Sequence, residues 1–284
     1  MINRTTERLC LVTGANSGHG RAVATALARS GCDVILGCRS AAEAARTRDE
    51  ILAGCQSARV DVLPLDLASA SSIREATQVL SARYPKLDVL VNNAGAWWMD
   101  RRVSVDGVEL VWATNVLGPH LLTRLLVPLL RASGAGRIVN VASSQAGGLD
   151  VRDVEFVHRP YNGIRAYQAS KQAVRMLSWA LAQRLSDVPV VVNALCPGFM
   201  KTALGRNASR GFRAMLFALR PLQVSAERGA QTAVWLTSSP EAEKVSNQFF
   251  IKCKPVACAF REPTACEEVF QICESALEGR TLSP

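Results

Sequence analysis

The residues best suited to moving a proton are Tyr167 and Lys171, in the run Tyr167-Gln168-Ala169-Ser170-Lys171. Four residues apart, they share one face of a helix. A phenol with a pKa of about 10 is a poor base at neutral pH unless a cation steadies its phenolate. A lysine one turn away supplies that cation. Ser143, at the end of an apolar run, is a candidate for holding a reacting oxygen. The same Tyr-x-x-x-Lys spacing also arises by chance as two exposed helix residues, so it decides nothing alone.

A glycine-rich segment forms the second constellation. Thr13-Gly14-Ala15-Asn16-Ser17-Gly18-His19-Gly20-Arg21 follows a short apolar run and leads directly into a helical pattern. Glycines in such a turn let the backbone approach a pyrophosphate, and the helix start offers unpaired N–H groups and a positive dipole. Gly14, Asn16, Ser17, Gly18, His19 and Gly20 are therefore candidate nucleotide contacts. The spacing is G-x-x-x-G-x-G, and an ordinary strand-to-helix turn is the plain alternative. About twenty residues further on, an acid would bind the ribose 2′-hydroxyl of NAD. The sequence instead reads Cys38-Arg39-Ser40. A guanidinium matches the 2′-phosphate dianion of NADP, so Arg39 and Ser40 favour NADP(H) over NAD(H). A surface arginine at a strand end is the bland reading of Arg39.

These groups need a scaffold that brings them together. Apolar runs at 8–13, 33–38, 59–65, 87–92, 137–142 and 189–195 read as strands, with helical segments at 18–30, 41–53, 69–84, 106–132 and 164–185 between them. A last strand at 249–251 and a helix at 263–277 follow. Strands that are near-continuous apolar runs, such as Val190-Val191-Val192, are covered on both faces. The alternation predicts an α/β fold: a single Rossmann-type, doubly wound parallel sheet with helices on both faces. Residues 1–284 read as one dinucleotide-binding domain.

Composition narrows the class. The 284 residues are 49% hydrophobic and 20% charged, which excludes a disordered chain. The net charge of +9 comes from basic residues spread singly, without aromatics between them, so nucleic acid is not an expected partner. The most apolar stretch, Leu117 to Leu130, is broken by His120 and Arg124, and the N-terminus lacks a signal-peptide core, so neither a transmembrane segment nor export is expected. Nine cysteines without a C-x-x-C pair indicate reduced thiols in a cytoplasmic protein, with no disulfide frame and no metal site.

Taken together, the motifs resemble those of the short-chain dehydrogenase/reductase family. They occur in its order: Thr13-Gly14-x-x-x-Gly18-x-Gly20, Asp66-Leu67, Asn92-Asn93-Ala94-Gly95, Asn115, Ser143, Tyr167-x-x-x-Lys171 and Pro197-Gly198-x-x-x-Thr202. The resemblance covers residues 7 to 203. It implies that Tyr167 is the general acid for reduction or base for oxidation, and that Lys171 lowers its pKa and binds ribose. Ser143 would orient the carbonyl or alcohol, and Asn115 would help hold a water that relays protons from Lys171. Asp66 and Leu67 would flank adenine, Asn93, Ala94 and Gly95 would line the cofactor cleft, and Pro197, Gly198 and Thr202 would hold the carboxamide.

Three departures qualify the match. His19 stands where the family usually has an aliphatic residue; it is either a hydrogen-bond donor to the pyrophosphate or, the favoured reading, a tolerated polar substitution. The serine motif is Ala142-Ser143-Ser144, with Ser144 as the fallback. Ser143 and Tyr167 are 24 residues apart, more than in most members. That longer loop, with Cys38-Arg39-Ser40 and the run from Asn115 to Thr123, looks like the retinol-dehydrogenase-like branch. Members of the branch often prefer NADP and act on lipophilic alcohols, aldehydes or ketones.

The family's substrate lid would lie at about 199–222, and a C-terminal extension at about 252–284. The lid combines Leu204, Phe212, Met215, Leu216, Phe217 and Leu219 with Lys201, Arg206, Arg210, Arg213 and Arg220, with no acid between Asp187 and Glu227. It reads as an apolar pocket rimmed by arginines, a solvated amphipathic helix, or a loose contact with an anionic membrane surface. Trp97-Trp98-Met99 is a candidate second wall, with plain core packing as the alternative. The expected function is interconversion of a carbonyl and an alcohol on a lipophilic small molecule with NADP(H). The sequence does not fix the oligomeric state, and the resemblance implies a homodimer or homotetramer paired through the helices holding Asn115 and Tyr167. A non-catalytic dinucleotide-binding scaffold or redox-sensing regulator is the alternative.

Overall fold

The structure, a computed structural model, describes residues 8–198 and 223–279. In chain order the elements are β1 (Leu9–Thr13), α1 (Gly18–Arg29), β2 (Asp33–Cys38), α2 (Ala41–Gly54), β3 (Val60–Pro64), α3 (Ala70–Arg83) and β4 (Val89–Asn92). A short helix α4 (Leu110–Trp112) runs through a π-turn at Ala113–Leu117 into α5 (Gly118–Ala132). Then come β5 (Gly136–Val141), α6 (Gly163–Arg184), β6 (Val190–Cys196), α7 (Ala226–Ser238), β7 (Gln248–Ile251), β8 (Lys254–Val256) and α8 (Pro263–Glu278).

The strands form one sheet in the order β3-β2-β1-β4-β5-β6-β7-β8. All neighbours are parallel except β7 and β8, which form a hairpin. The predicted doubly wound α/β sheet is therefore present, with an antiparallel edge that the sequence reading did not include. Successive side chains of each strand serve opposite faces, as the period of two requires. Leu11, Ile35, Leu90, Ile138 and Val192 pack under α5 and α6, while Cys10, Val12, Val34, Leu36, Val91 and Leu195 pack under α1 and α7. Each such aliphatic side chain, when fully buried, contributes about 1.5–3 kcal/mol relative to exposure. The strand order reverses beside β1, between β2 and β4, and in such sheets the crevice beyond the carboxyl ends at that point takes the ligand.

Three local differences from the sequence expectation have physical causes. The helical region begins at Leu110 and not at Asp106, because residues 104–108 form a turn in which Gly107 has φ 74° and Glu109 caps the helix through Val111 N and Trp112 N. Helix α7 had no counterpart in the reading; its C-terminal carbonyls are capped by two arginines, Arg8 on Thr237 O and Ser238 O, and Arg137 on Leu236 O and Ser239 O. Helices α4 and α5 with their π-turn make one stretch, Leu110–Ala132, long and apolar enough to cross a membrane, but 72% of its most apolar window is buried within the fold. It packs on the same face of the sheet as α3 and α6, with α5 beside α3 and the π-turn beside α6.

Candidate active site

The first strand ends in a turn built for close approach. Gly14 has φ 64° and Gly18 φ 53°, in the left-handed region that favours glycine. A Cβ on Gly20 would collide with the Gly14 carbonyl and the Asn93 amide, so the loop closes onto the end of β4 only because Gly20 has no side chain. The start of α1 has no side-chain cap at Ser17, whereas Ser40, Ser69 and Asn162 cap α2, α3 and α6. Among the described residues its first-turn amides are thus free of side-chain partners, which is what a phosphate group needs.

The neighbouring loop is tied to this turn. The Thr13 hydroxyl accepts from Asn93 N and Ala94 N, both at 3.0 Å, and Asn93 Nδ2 donates to Thr13 O at 2.7 Å. His19 is buried and its two ring nitrogens lie 2.7 Å from Asn93 Oδ1 and 3.2 Å from Gly229 O. The ring thus bridges α1, the end of β4 and α7, a role that neither sequence reading of His19 contained. Burial, above all, pushes the imidazole below its usual range, so it is neutral at pH 7.

At the end of β2, Arg39 is exposed and forms no hydrogen bond or ion pair among the described residues. Ser40 accepts from Glu43 N at 3.3 Å. Asn16 Nδ2 donates to Glu43 Oε2 at 2.5 Å, so a carboxylate absent from the strand end reaches the same corner from α2. Asp66 caps its own turn by accepting from Ala68 N at 3.0 Å, and buried Leu67 lays its carbonyl against Gly118. Pro197 and Gly198 lie just past β6, with Gly198 at φ 89°. Thr202 and the expected lid lie outside the described residues.

Ser143, Tyr167, Lys171 and Asn115 converge at the carboxyl ends of β4, β5 and β6. Lys171 is buried, 4% exposed, and donates from Nζ to Val141 O at 2.8 Å; Nζ lies 5.8 Å from the centre of the Tyr167 ring. A Cβ on Gly95 would stand 3.5 Å from Lys171 Nζ and 3.7 Å from Asn115 Oδ1, which places the exposed Gly95 directly over both. The Asn115 side chain accepts from Ala96 N at 2.7 Å and donates to Ala96 O and Ser170 Oγ, each at 3.0 Å. Burial pushes the Tyr167 phenol up to about 12, and its contact with the Ser143 hydroxyl pulls it partly back. Burial likewise brings Lys171 down to about 8. Of the two candidate serines, Ser143 meets Tyr167, while Ser144 is exposed.

The long loop between Ser143 and Tyr167 is braced from within. Ser143 Oγ accepts from Gln145 N at 3.1 Å, Gln172 accepts from Leu149 N at 3.1 Å, and Asp153 accepts from Val157 N at 2.7 Å. Tyr161 donates to buried Glu109 at 3.1 Å, tying the loop to α4. Arg175, one turn beyond Lys171, was not singled out from sequence. It is 7% exposed, donates to the main-chain carbonyl of Ser143, and stacks 3.8 Å from the centre of the Phe249 ring. Trp97 lies beside the phenol, its ring centre 6.2 Å from that of Tyr167.

A glycine turn at the reversal point of a parallel sheet, with a tyrosine, a lysine and a serine converging beside it, defines a dinucleotide-dependent oxidoreductase site. The comparisons agree. The family description "short chain dehydrogenase" matches residues 8–211. Retinol dehydrogenase 14 of Mus musculus is 39% identical over 267 residues, covering 86% of this chain and 77% of that protein. Retinol dehydrogenase 13 of Homo sapiens is 36% identical over 249 residues, covering 84% and 75%. Among solved structures, the 3-ketoacyl-(acyl-carrier-protein) reductase of Brucella melitensis complexed with NADH aligns with TM-score 0.66 and 27% identity, over 86% of this chain and 95% of that one. The chain belongs to the short-chain dehydrogenase/reductase family, in its retinol-dehydrogenase-like branch, whose members interconvert alcohols and carbonyls with a nicotinamide dinucleotide.

Proposed function

We propose that the chain is an NADP(H)-dependent oxidoreductase that interconverts a carbonyl and an alcohol on a lipophilic small molecule. The observation that carries this reading is the convergence of Ser143, Tyr167 and Lys171 under Gly95, next to the uncapped start of α1. The dinucleotide suits the described residues: the loop from Gly14 to Gly20, Arg39 and Ser40, Asp66 and Leu67, Asn93 to Gly95, and Pro197 and Gly198 would hold it. When bound, it supplies or takes the hydride.

The chain's own part is the proton and the orientation. A phenol at about 12 keeps its proton at neutral pH, which suits Tyr167 to donate to the oxygen of a carbonyl being reduced. The Ser143 hydroxyl, in contact with Tyr167, positions that oxygen. Lys171, pinned on Val141 O, backs the phenol with its ammonium, and Asn115 fixes the loop at Ala96 that frames the cleft. Arg39, exposed and unpaired among the described residues, supports a 2′-phosphate and so NADP(H). Trp97 beside Tyr167, and the retinol dehydrogenases among the relatives, support a lipophilic substrate. The scattered spacing of the nine cysteines, without a C-x-x-C pair, supports a reducing, cytoplasmic setting.

The test is NADPH consumption by the purified protein against a panel of aldehydes, ketones, retinoids, steroids and polyketides. The wild type turns over at least one class, and Tyr167→Phe removes turnover while leaving NADPH binding intact. Turnover unaffected by Tyr167→Phe overturns the mechanism. NADPH binding with no turnover of any carbonyl favours a dinucleotide-binding scaffold.

A further inference from the structure

Behind the catalytic face, on the interior side of Lys171, lies a cavity of about 20 Å³. Its polar lining is Asn92, Asn115, Asn140, Lys171, His120 and Thr123. That volume holds one water, given two to four polar partners.

The hydrogen-bond directions around the cavity are fixed. Ser178 donates to Val174 O at 2.7 Å, so it accepts from Asn140 Nδ2 at 2.9 Å. Asn140 Oδ1 therefore faces Asn92 Nδ2, at 2.9 Å. Thr123 donates to Pro119 O at 2.7 Å and accepts the second Asn92 Nδ2 proton at 2.9 Å. Asn92 Oδ1 is left buried and, among the described residues, without a donor.

His120, 3% exposed on α5, is left in the same condition. Its Nε2 lies 2.6 Å from Glu274 Oε1 on α8, and since a carboxylate only accepts, Nε2 carries the proton. Its Nδ1 is buried with no partner among the described residues. Two unpartnered acceptors thus belong to residues lining one water-sized cavity, and a buried ammonium with spare protons lines it too. Glu274 reaches the surface, its side chain 19% exposed, where it also accepts from Arg124 at 2.7 Å.

We propose that His120, backed by Glu274, exchanges protons with Lys171 through a single buried water held by Asn92. This rests on the oxidoreductase reading above and extends it. The water accepts from Lys171 Nζ and donates to Asn92 Oδ1 and His120 Nδ1. In alcohol oxidation a Lys171 N–H proton passes to the water as the water passes one to Nδ1. The imidazole becomes imidazolium, with Glu274 as its counter-ion, and Lys171 becomes a neutral amine ready to take the next proton. In carbonyl reduction the same transfers run in reverse. No electrons move in either direction, and Glu274 joins the pair to solvent. The charged groups around the ring are Glu274 from α8, Arg124 on its own helix, and Lys171 and Arg184 from α6; the edge of Phe270 closes the remaining side, with ring centres 5.0 Å apart.

The experiment has one arm without turnover and one with it. In ¹⁵N-labelled protein alone, the His120 imidazole is followed by NMR in the wild type and in Lys171→Met. The expected result is a cross-peak from a long-lived water to the His120 ring and a shifted His120 titration in Lys171→Met. A titration unchanged by Lys171→Met, with no water cross-peak, overturns the proposal whatever the enzyme reduces. In turnover, His120→Phe lowers kcat roughly tenfold, leaves NADPH affinity unchanged and raises the solvent deuterium isotope effect. Glu274→Gln gives a smaller loss of the same kind. In His120→Ala, added imidazoles restore activity in order of their basicity, which mere cavity filling does not produce. A wild-type rate, isotope effect and pH profile in His120→Phe also overturns it. Loss of all turnover in the wild type indicts the oxidoreductase reading instead, and leaves the NMR result to decide this one.

Discussion

The guanidinium of Arg175 holds the main-chain carbonyl of Ser143, and it does so while stacked 3.8 Å from the centre of the Phe249 ring. Ser143 sits just past β5, Arg175 on α6 and Phe249 on β7, so one buried cation joins the end of a central strand to a later one. Its Nη1 also approaches Cys258 Sγ at 3.7 Å, beyond the hairpin. The position of the serine hydroxyl therefore depends on the part of the chain after residue 247.

Replacing Arg175 tests that dependence. Arg175→Met leaves the Ser143 carbonyl unpaired and removes the stacked cation, a loss of about 2–4 kcal/mol in stability. Thermal denaturation should show a fall of several degrees, and kcat should drop with KM little changed. Arg175→Lys should not restore the wild type, since a lysine cannot both stack and bond as a planar guanidinium does.

Lys171 carries a stability cost that pH reveals. Its folded pKa of about 8 lies below the ordinary lysine value of 10.5, so between those limits the unfolded chain binds the extra proton. Stability from this group therefore rises with pH across that window, and the full penalty, about 3 kcal/mol, is present below pH 8. Lys171→Met relieves it but loses the bond to Val141 O, worth about 1 kcal/mol. At pH 7 the variant should be about 2 kcal/mol more stable than the wild type and inactive, with the advantage fading towards pH 10.5. Urea titrations of both proteins at several pH values measure it. Comparing the pair also cancels the raised thiols and phenols, such as Cys273 and Tyr84, which act in the opposite sense at high pH.

Arg39 sets the choice of cofactor. Arg39→Glu should weaken NADPH roughly tenfold to a hundredfold, the worth of a charge-assisted hydrogen bond, and leave NADH within a few-fold. Fluorescence titration with each nucleotide gives both constants. Equal losses would remove the 2′-phosphate from its role.

Gly20 tests the closure of the phosphate loop. Gly20→Ala drives a methyl into the Gly14 carbonyl and the Asn93 amide, where both neighbours are fixed. Overpacking of this kind costs about 1–3 kcal/mol, and the displaced loop should bind NADPH and NADH equally poorly. Calorimetry separates this uniform loss from the selective one at Arg39.

The frame of the molecule was legible because its strands are apolar on both faces and its helices begin at serine caps, as at Ser40 and Ser69. The tyrosine and lysine were legible because four residues on a helix fix their separation. Helix α7 was not, because Ala226-Glu227-Arg228-Gly229-Ala230-Gln231-Thr232 buries small residues that make a weak apolar pattern. Nor was β8, since its three residues are all exposed. The partners of His19, His120 and Arg175 escaped for a different reason. Gly229 and Glu274 lie 210 and 154 residues from the histidines they meet, and a single sequence carries no signal for contacts at that range.

The hairpin at the end of the sheet has a consequence for how copies of this chain can associate. An edge strand usually offers its unpaired amides to any neighbouring backbone, and native sheets guard against this with short strands, lysine and proline. Here β8 is three residues long, Lys254-Pro255-Val256, and its middle residue has no N–H to give. That flank is closed to sheet growth, so two copies meeting on this side must do so through helices and not by extending the ladder.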